Sequence, residues 1–473
     1  MTRKRKIETG LVEGRISTAI WKLAVPMMVG GALEDLFSMV DLYFVGRLGH
    51  QAVAALSIAG TVVAVLTMLV QGIGVGTLAL VAQFIGRKEY AKADEVLGQT
   101  FLLAGMGTVL IYGARWLLVV PLLELFGAKG EVLNMAADYL RITFGWSGVI
   151  FFSAGINHAF RGSGDARTPL RALIIGNLLN IVLDPMMIMG YGGFPALGVA
   201  GSALATVASR GIGLIYLFLH LLFGHSTIHF RTRWLKPDGK LMREIIQVGS
   251  FASLQVLIRE ISFLFLMRLV ASFGDETLAA YGVGSRIRVM LMVPGSAFAG
   301  AASVLTGQNL GANQARRAKK SAWSAVAYYQ MLIIPAATIF LIWAPSIVGV
   351  FTDHEQVVAL SSSYLRYLAV TFPFLGFSLV FSQALNGAGD TVTPTIINAI
   401  GQLLFRVPLA YLCALAFHMG PNGIWIGING SDIVQGLGTI FIFRSNYWLK
   451  MHNRRRATMG LPPLAEDSGT DHA

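Results

Sequence analysis

Twelve times along the chain an apolar stretch of roughly 20 to 30 residues is followed by a short polar, Gly- or Pro-containing break. At about 1.5 Å per residue, each stretch is long enough to cross a hydrocarbon core roughly 30 Å thick. The chain is 55% hydrophobic and only 13% charged, against about a quarter charged in soluble domains, so the stretches are not explained by a water-soluble core. An all-α integral membrane protein is expected. Its helices are placed near residues 17–45, 52–84, 93–123, 132–160, 166–191, 196–223, 242–272, 277–309, 317–348, 357–385, 391–417 and 421–447.

The net charge of +12 follows the same pattern. Of the 37 Lys and Arg residues, 25 fall at the termini and in or beside the connections after even-numbered spans. Only Arg47 and Lys129 lie in the connections after odd-numbered spans. By the positive-inside rule both termini are cytoplasmic, as an even number of spans requires. The basic excess is thus a topology signal with some attraction to anionic lipid, and no recognition motif accompanies it to suggest nucleic acid. The first stretch lacks a small-residue cleavage site and contains Lys22, so it is expected to stay as a membrane span, in the cell's inner (plasma) membrane. The single Cys413 excludes an intrachain disulfide or a multi-cysteine metal site.

Slid against itself by 225 residues, the sequence matches from the first loop of each half to the last. Gly49 meets Gly274, Gln83 meets Gln308, Tyr139-Leu-Arg141 meets Tyr364-Leu-Arg366, and Thr168-Pro169 meets Thr393-Pro394. Each half holds six spans. Six is even, so both halves enter the membrane in the same direction, as a parallel repeat about an axis along the membrane normal. The expected organisation is a cytoplasmic N-terminus (1–16), a six-helix lobe (17–224), a basic cytoplasmic linker (225–241), a second six-helix lobe (242–447) and a polar, disordered cytoplasmic tail (448–473).

The repeat separates what the fold needs from what one lobe needs. At the constant offset Asp41 meets Leu266, Asn180 meets Phe405, Asp184 meets Leu409 and Thr206 meets Ser431. A polar set confined to one copy points to a lobe-specific site, because ionisable groups in hydrocarbon are expensive. Counted from the glycines that close their spans, Asp41 and Asp184 lie on the order of 8–9 Å inside the outer boundary, and Thr206 roughly 15 Å deep. Asn180 and Asp184 share a helix face, and Pro185 frees the Ile181 carbonyl and bends the span. Two carboxylates, an amide oxygen, a hydroxyl and a freed carbonyl suit a hard cation such as Na⁺. They suit a proton equally, since two carboxylates in low dielectric cannot both ionise cheaply.

Four further charges remain open. Glu34 and Asp35 lie about two turns inward of Asp41, and at the offset they meet Arg259 and Glu260. Ion pairing between lobes, a gate and contact with a cationic substrate are equal readings of this set. Most other span arginines read as snorkelling from helix ends, although Arg406 sits deeper. The Gly72-Ile-Gly-Val-Gly76 run lies inside an apolar span with no preceding strand, so close helix packing explains it better than a dinucleotide loop.

Five stretches together resemble the multidrug and toxic compound extrusion (MATE) family: residues 40–49 (VDLYFVGRLG), 74–86 (GVGTLALVAQFIG), 161–169 (RGSGDARTP), 180–185 (NIVLDP) and 198–206 (GVAGSALAT). The likeness covers about residues 15–447. It implies two six-helix lobes that open alternately to each side of the membrane. The implied activity is export of organic, often cationic or amphipathic compounds against inward H⁺ or Na⁺, by a monomer without a cofactor. In the branch resembled, the family's coupling residues carry over as Asp41, Asn180, Asp184 and Thr206, and the proline about which the first helix bends carries over as Pro26. Glu260 resembles one acidic residue of another branch, but span 10 has no carboxylate to match the second. The alternative is a lipid-linked saccharide flippase of a related fold, which would line its cavity with several paired basic residues. An enzyme would need a nucleophile–base or metal constellation, and His158, His220 and His418 are scattered near span ends.

Overall fold

The computed structural model of the 473-residue chain describes residues 11–223, 226–458 and 462–463. Its described residues are helical from end to end, as lipid demands: a backbone amide there finds no water and must bond within its own helix. The first half consists of α1 (Ile16–Gly46), α2 (His50–Gly86), α3 (Tyr90–Leu125), α4 (Gly130–Gly145), α5 (Ser147–Gly162), α6 (Arg167–Met189) and α7 (Gly198–Phe223). The second consists of α8 (Gly239–Ala271), α9 (Asp275–Gly311), α10 (Ala315–Gly349), α11 (Glu355–Gly387), α12 (Val392–Ala399), α13 (Val407–Tyr411) and α14 (Pro421–Arg444), and α15 (Tyr447–Thr458) follows.

Ten spans are long and apolar enough to cross a membrane among the described residues. The other two of the twelve are the paired helices α4 and α5, and α8, which carries Arg259, Glu260 and Arg268. The expected fourth span is therefore broken: Trp146 leaves helical geometry at φ −110° and ψ 23°. The expected eleventh is continuous but uneven, widening to π turns at Ile400–Arg406 and Leu412–Ala416 on either side of α13. Pro408 accounts for the first, because it cannot donate to the Leu404 carbonyl that an α-helix would offer it, and a wider turn relieves the clash.

The chain divides into two compact units. Among the described residues, one comprises those from 25 to 250 and the other those from 11 to 24 and from 251 onward, so α1 changes unit just before Pro26. Glycines set the close helix approaches within each unit. A Cβ at Gly76 would meet the Ile245 carbonyl, and one at Gly201 would meet the Met187 carbonyl, which lets α7 lie against α6. The Gly72–Gly76 run thus serves packing.

The segment between the halves is docked. Gln99 donates to the carbonyls of Trp234 (3.0 Å) and Lys236 (2.8 Å) and accepts from the Asp238 amide (2.9 Å), while Asp94 accepts from the His229 amide. The start of the tail also differs from expectation. Instead of being disordered from residue 448, it forms α15, held by Trp448 stacked on Phe443 at 5.2 Å and by His452 hydrogen-bonded to the Ala388 carbonyl.

Candidate functional site

In the first unit, α1, α6 and α7 bring four of the expected residues to one buried region. Asp41 on α1 is 8% exposed, and Asn180 and Asp184 on α6 are fully buried. The Asn180 amide donates to Asp184 Oδ1 at 2.9 Å, as their spacing of one turn allows. Thr206 on α7 is half-buried. Helix α6 is held to α1 by Asn177, whose amide donates to the Leu33 carbonyl at 2.7 Å.

Asn180 Oδ1, Asp184 Oδ2 and Thr206 Oγ1 are buried without a hydrogen-bond partner among the described residues. Buried polar atoms are nearly always satisfied, so three orphan oxygens in one cluster mark a place built to receive a positive partner. A proton or a small hard cation supplies what they lack, and the donor set is all oxygen.

Three neighbours of the cluster were not anticipated. Ser202 donates to Asp41 Oδ1 at 2.5 Å. Tyr139 on α4 and Arg210 on α7 lie within electrostatic range of Asp41, with the Arg210 guanidinium 5.1 Å from the Phe37 ring centre. A signal was present for two of them: residues 202, 206 and 210 recur every fourth position, which puts them on one face of α7. Arg210 itself is exposed.

The remaining charges are placed elsewhere. Glu34 lines a separate small cavity of about 60 Å³ in the same unit, with Pro26, Gly30, Asn157 and Arg161. Arg161 lies within electrostatic range of Glu34. Asp35, next along α1, is exposed. Arg259 and Glu260 belong to the second unit, where they form an exposed pair with each other at 3.8 Å. Pro26 and Pro185 are both internal to helices, and α6 stays helical through Pro185 to Met189.

In the second unit the deep Arg406 has company that the sequence alone did not assemble. It donates to Gln402 at 2.7 Å, and Arg288 on α9 pairs with Asp432 on α14 at 3.0 Å.

Twelve spans in two six-helix halves, with buried oxygens grouped in one of them, are the repeat-built architecture of secondary transporters. The sequence pattern of the MatE family matches two equal stretches, residues 26–186 and 252–412, one in each half, and the chain belongs to that family. It is similar to the probable multidrug resistance protein YoeA of Bacillus subtilis, at 27% identity over 91% of this chain and 95% of that one. Similarity to the probable multidrug resistance protein NorM of Thermotoga maritima is also 27%, over 91% and 92%. Among solved structures, an outward-facing multidrug resistance MATE transporter of the MOP superfamily matches with a TM-score of 0.87 and 27% identity, covering 94% of this chain and 98% of that one.

Proposed function

We propose that the protein is an antiporter that exports organic, often cationic or amphipathic compounds in exchange for H⁺ or Na⁺ by alternating access. Asp41, Asn180, Asp184 and Thr206 form its coupling site in the first lobe, assisted by Ser202. The observation that carries this reading is the group of three buried oxygens without a partner among the described residues, one of them a carboxylate oxygen of Asp184. Both termini are cytoplasmic in this scheme, as the one-sided basic residues indicate, and the membrane of the scheme is the plasma membrane. The multidrug names of the relatives support the substrate class.

Coupling requires that the cation and the substrate favour different states, because a ligand bound equally well in both shifts nothing. A cation at Asp41 and Asp184 neutralises charge in the first lobe and satisfies its orphan oxygens, so it favours whichever state closes α1, α6 and α7 around it. Pro26, where α1 passes from one compact unit to the other, is the proposed bending point. One elementary charge crossing the membrane potential supplies about 2.3 kcal/mol per 100 mV to drive the cycle.

The test is reconstitution in proteoliposomes with independently imposed H⁺ and Na⁺ gradients and a fluorescent cationic dye as cargo. Dye accumulation against its gradient when one ion is supplied, and its loss when that gradient collapses, is expected. Equal dye flux with no ion gradient would identify a passive pore and overturn the proposal.

A further inference from the structure

We propose that the second lobe contains a binding site for one small monovalent anion of halide size, held by Arg288, Arg406 and the Trp425 indole. Two guanidinium groups face a single carboxylate there. Asp432 is 1% exposed; Arg288 Nη2 donates to its Oδ1 at 3.1 Å and lies 3.0 Å from Oδ2, which has no hydrogen-bond partner among the described residues. Arg406 is 7% exposed, and its one hydrogen bond goes to the neutral amide oxygen of Gln402. Arg288 and Arg406 lie close enough to repel each other, and both act on Tyr364. One positive charge inside the lobe is therefore without a counter-charge, a costly condition away from water.

Three donors and one acceptor in this cluster have unmet hydrogen bonds among the described residues. Arg288 Nη1, Arg406 Nε and Trp425 Nε1 are the buried donors, and the acceptor, Asp432 Oδ2, already lies 3.0 Å from Arg288 Nη2. Water could accept from one of them but would leave the charge uncompensated, whereas an anion answers both needs at once. Packing limits its size. Tyr281 stacks on Trp425 at 6.0 Å with the rings 8° from parallel, and Tyr364 meets Trp425 edge-on at 5.0 Å. A monatomic anion reaches the donors between such rings, while a bulky organic anion would have to separate them.

The fold does not require the cluster. At the 225-residue offset, Arg288, Arg406, Trp425 and Asp432 correspond to Val63, Ile181, Ala200 and Val207 in the first lobe, all apolar.

Thermal unfolding of the full-length protein in detergent tests the site independently of transport, at constant Na⁺ and ionic strength with chloride, bromide or gluconate as the anion. Chloride and bromide are expected to raise the unfolding midpoint saturably, and gluconate to leave it unchanged. Arg406→Gln should weaken half-saturation by about tenfold or more, and Asp432→Asn, which removes the competing negative charge, should strengthen it by about tenfold. Should either variant fail to fold, Trp425→Phe keeps the ring and removes one donor, and an anomalous peak from bromide beside Arg288 and Arg406 in crystals locates the ion directly. Equal stabilisation by gluconate, an unchanged response in Arg406→Gln or Trp425→Phe, or a bromide peak elsewhere alone would overturn the proposal.

Discussion

A tyrosine stands at the same repeat position in each lobe, and the charged groups near it differ. Tyr139 in the first lobe lies near the carboxylates of Asp41 and Asp184 and the Arg210 guanidinium, and Tyr364 in the second lies near the guanidinium groups of Arg288 and Arg406. Where both lobes keep a residue, its work is structural. Thr168 donates from its amide (3.0 Å) and hydroxyl (2.6 Å) to Asp165 ahead of α6, and Thr393 does the same to Asp390 ahead of α12, at 3.1 and 2.7 Å. Those two turns are interchangeable because both start a span. The two charged interiors are not, so their residues answer to something other than the fold.

The largest effect in breaking this comparison is expected from Asp41→Asn, which gives the first lobe an uncharged residue where the second has Leu266. Gradient-driven dye export in proteoliposomes should fall on the order of 100-fold, to the leak rate, with the protein still inserted. Retained export would separate Asp41 from coupling. In the second lobe, Arg288→Met takes from the buried Asp432 the guanidinium that donates to it, leaving Arg406 as the nearby cation, and should cost about 1.5–3 kcal/mol, read as a lower unfolding midpoint. The double change Arg288→Met with Asp432→Leu should recover most of that loss, and a double variant as unstable as the single would show that the pair's charge is not the issue.

A change of similar size is expected at Asn180. Removing its amide in Asn180→Ala takes away a charge-assisted hydrogen bond and one cation-facing oxygen, about 1.5–3 kcal/mol, so the coupling ion should bind roughly 10- to 100-fold more weakly in an ion-concentration series. Smallest of the four is Ser202→Gly, which installs the residue that the second lobe has at Gly427. Loss of the hydroxyl that donates to Asp41 should shift half-activation by the coupling ion by about five- to tenfold while leaving maximal export intact. An unaltered ion dependence would make Ser202 a packing residue.

Asp41, Asn180 and Asp184 stand out in the sequence because the repeat supplies an internal control: each faces an apolar residue 225 positions on, whereas Thr206 faces the hydroxyl of Ser431. Ser202 and Arg210 were harder to see. A serine in an apolar helix commonly bonds its own backbone, and an arginine near a helix end commonly snorkels, so neither stands out from sequence spacing. The Arg288–Asp432 pair was out of reach, since its members are 144 residues apart and meet only through the packing of α9 and α14. Trp146 breaks the fourth span without a proline to announce it, and the tail after residue 447 is polar yet folds because Trp448 finds Phe443.

Taken alone, the sequence determines that the chain lies in a membrane, how often it crosses, that it is duplicated, and which lobe holds the acidic pair. These are written in hydropathy and period, properties of short stretches in a solvent that allows few alternatives. Which polar atoms finish without a partner was decided only by tertiary structure. Satisfaction of a buried group depends on what a second helix brings within about 3 Å, and no spacing along one helix contains that distance.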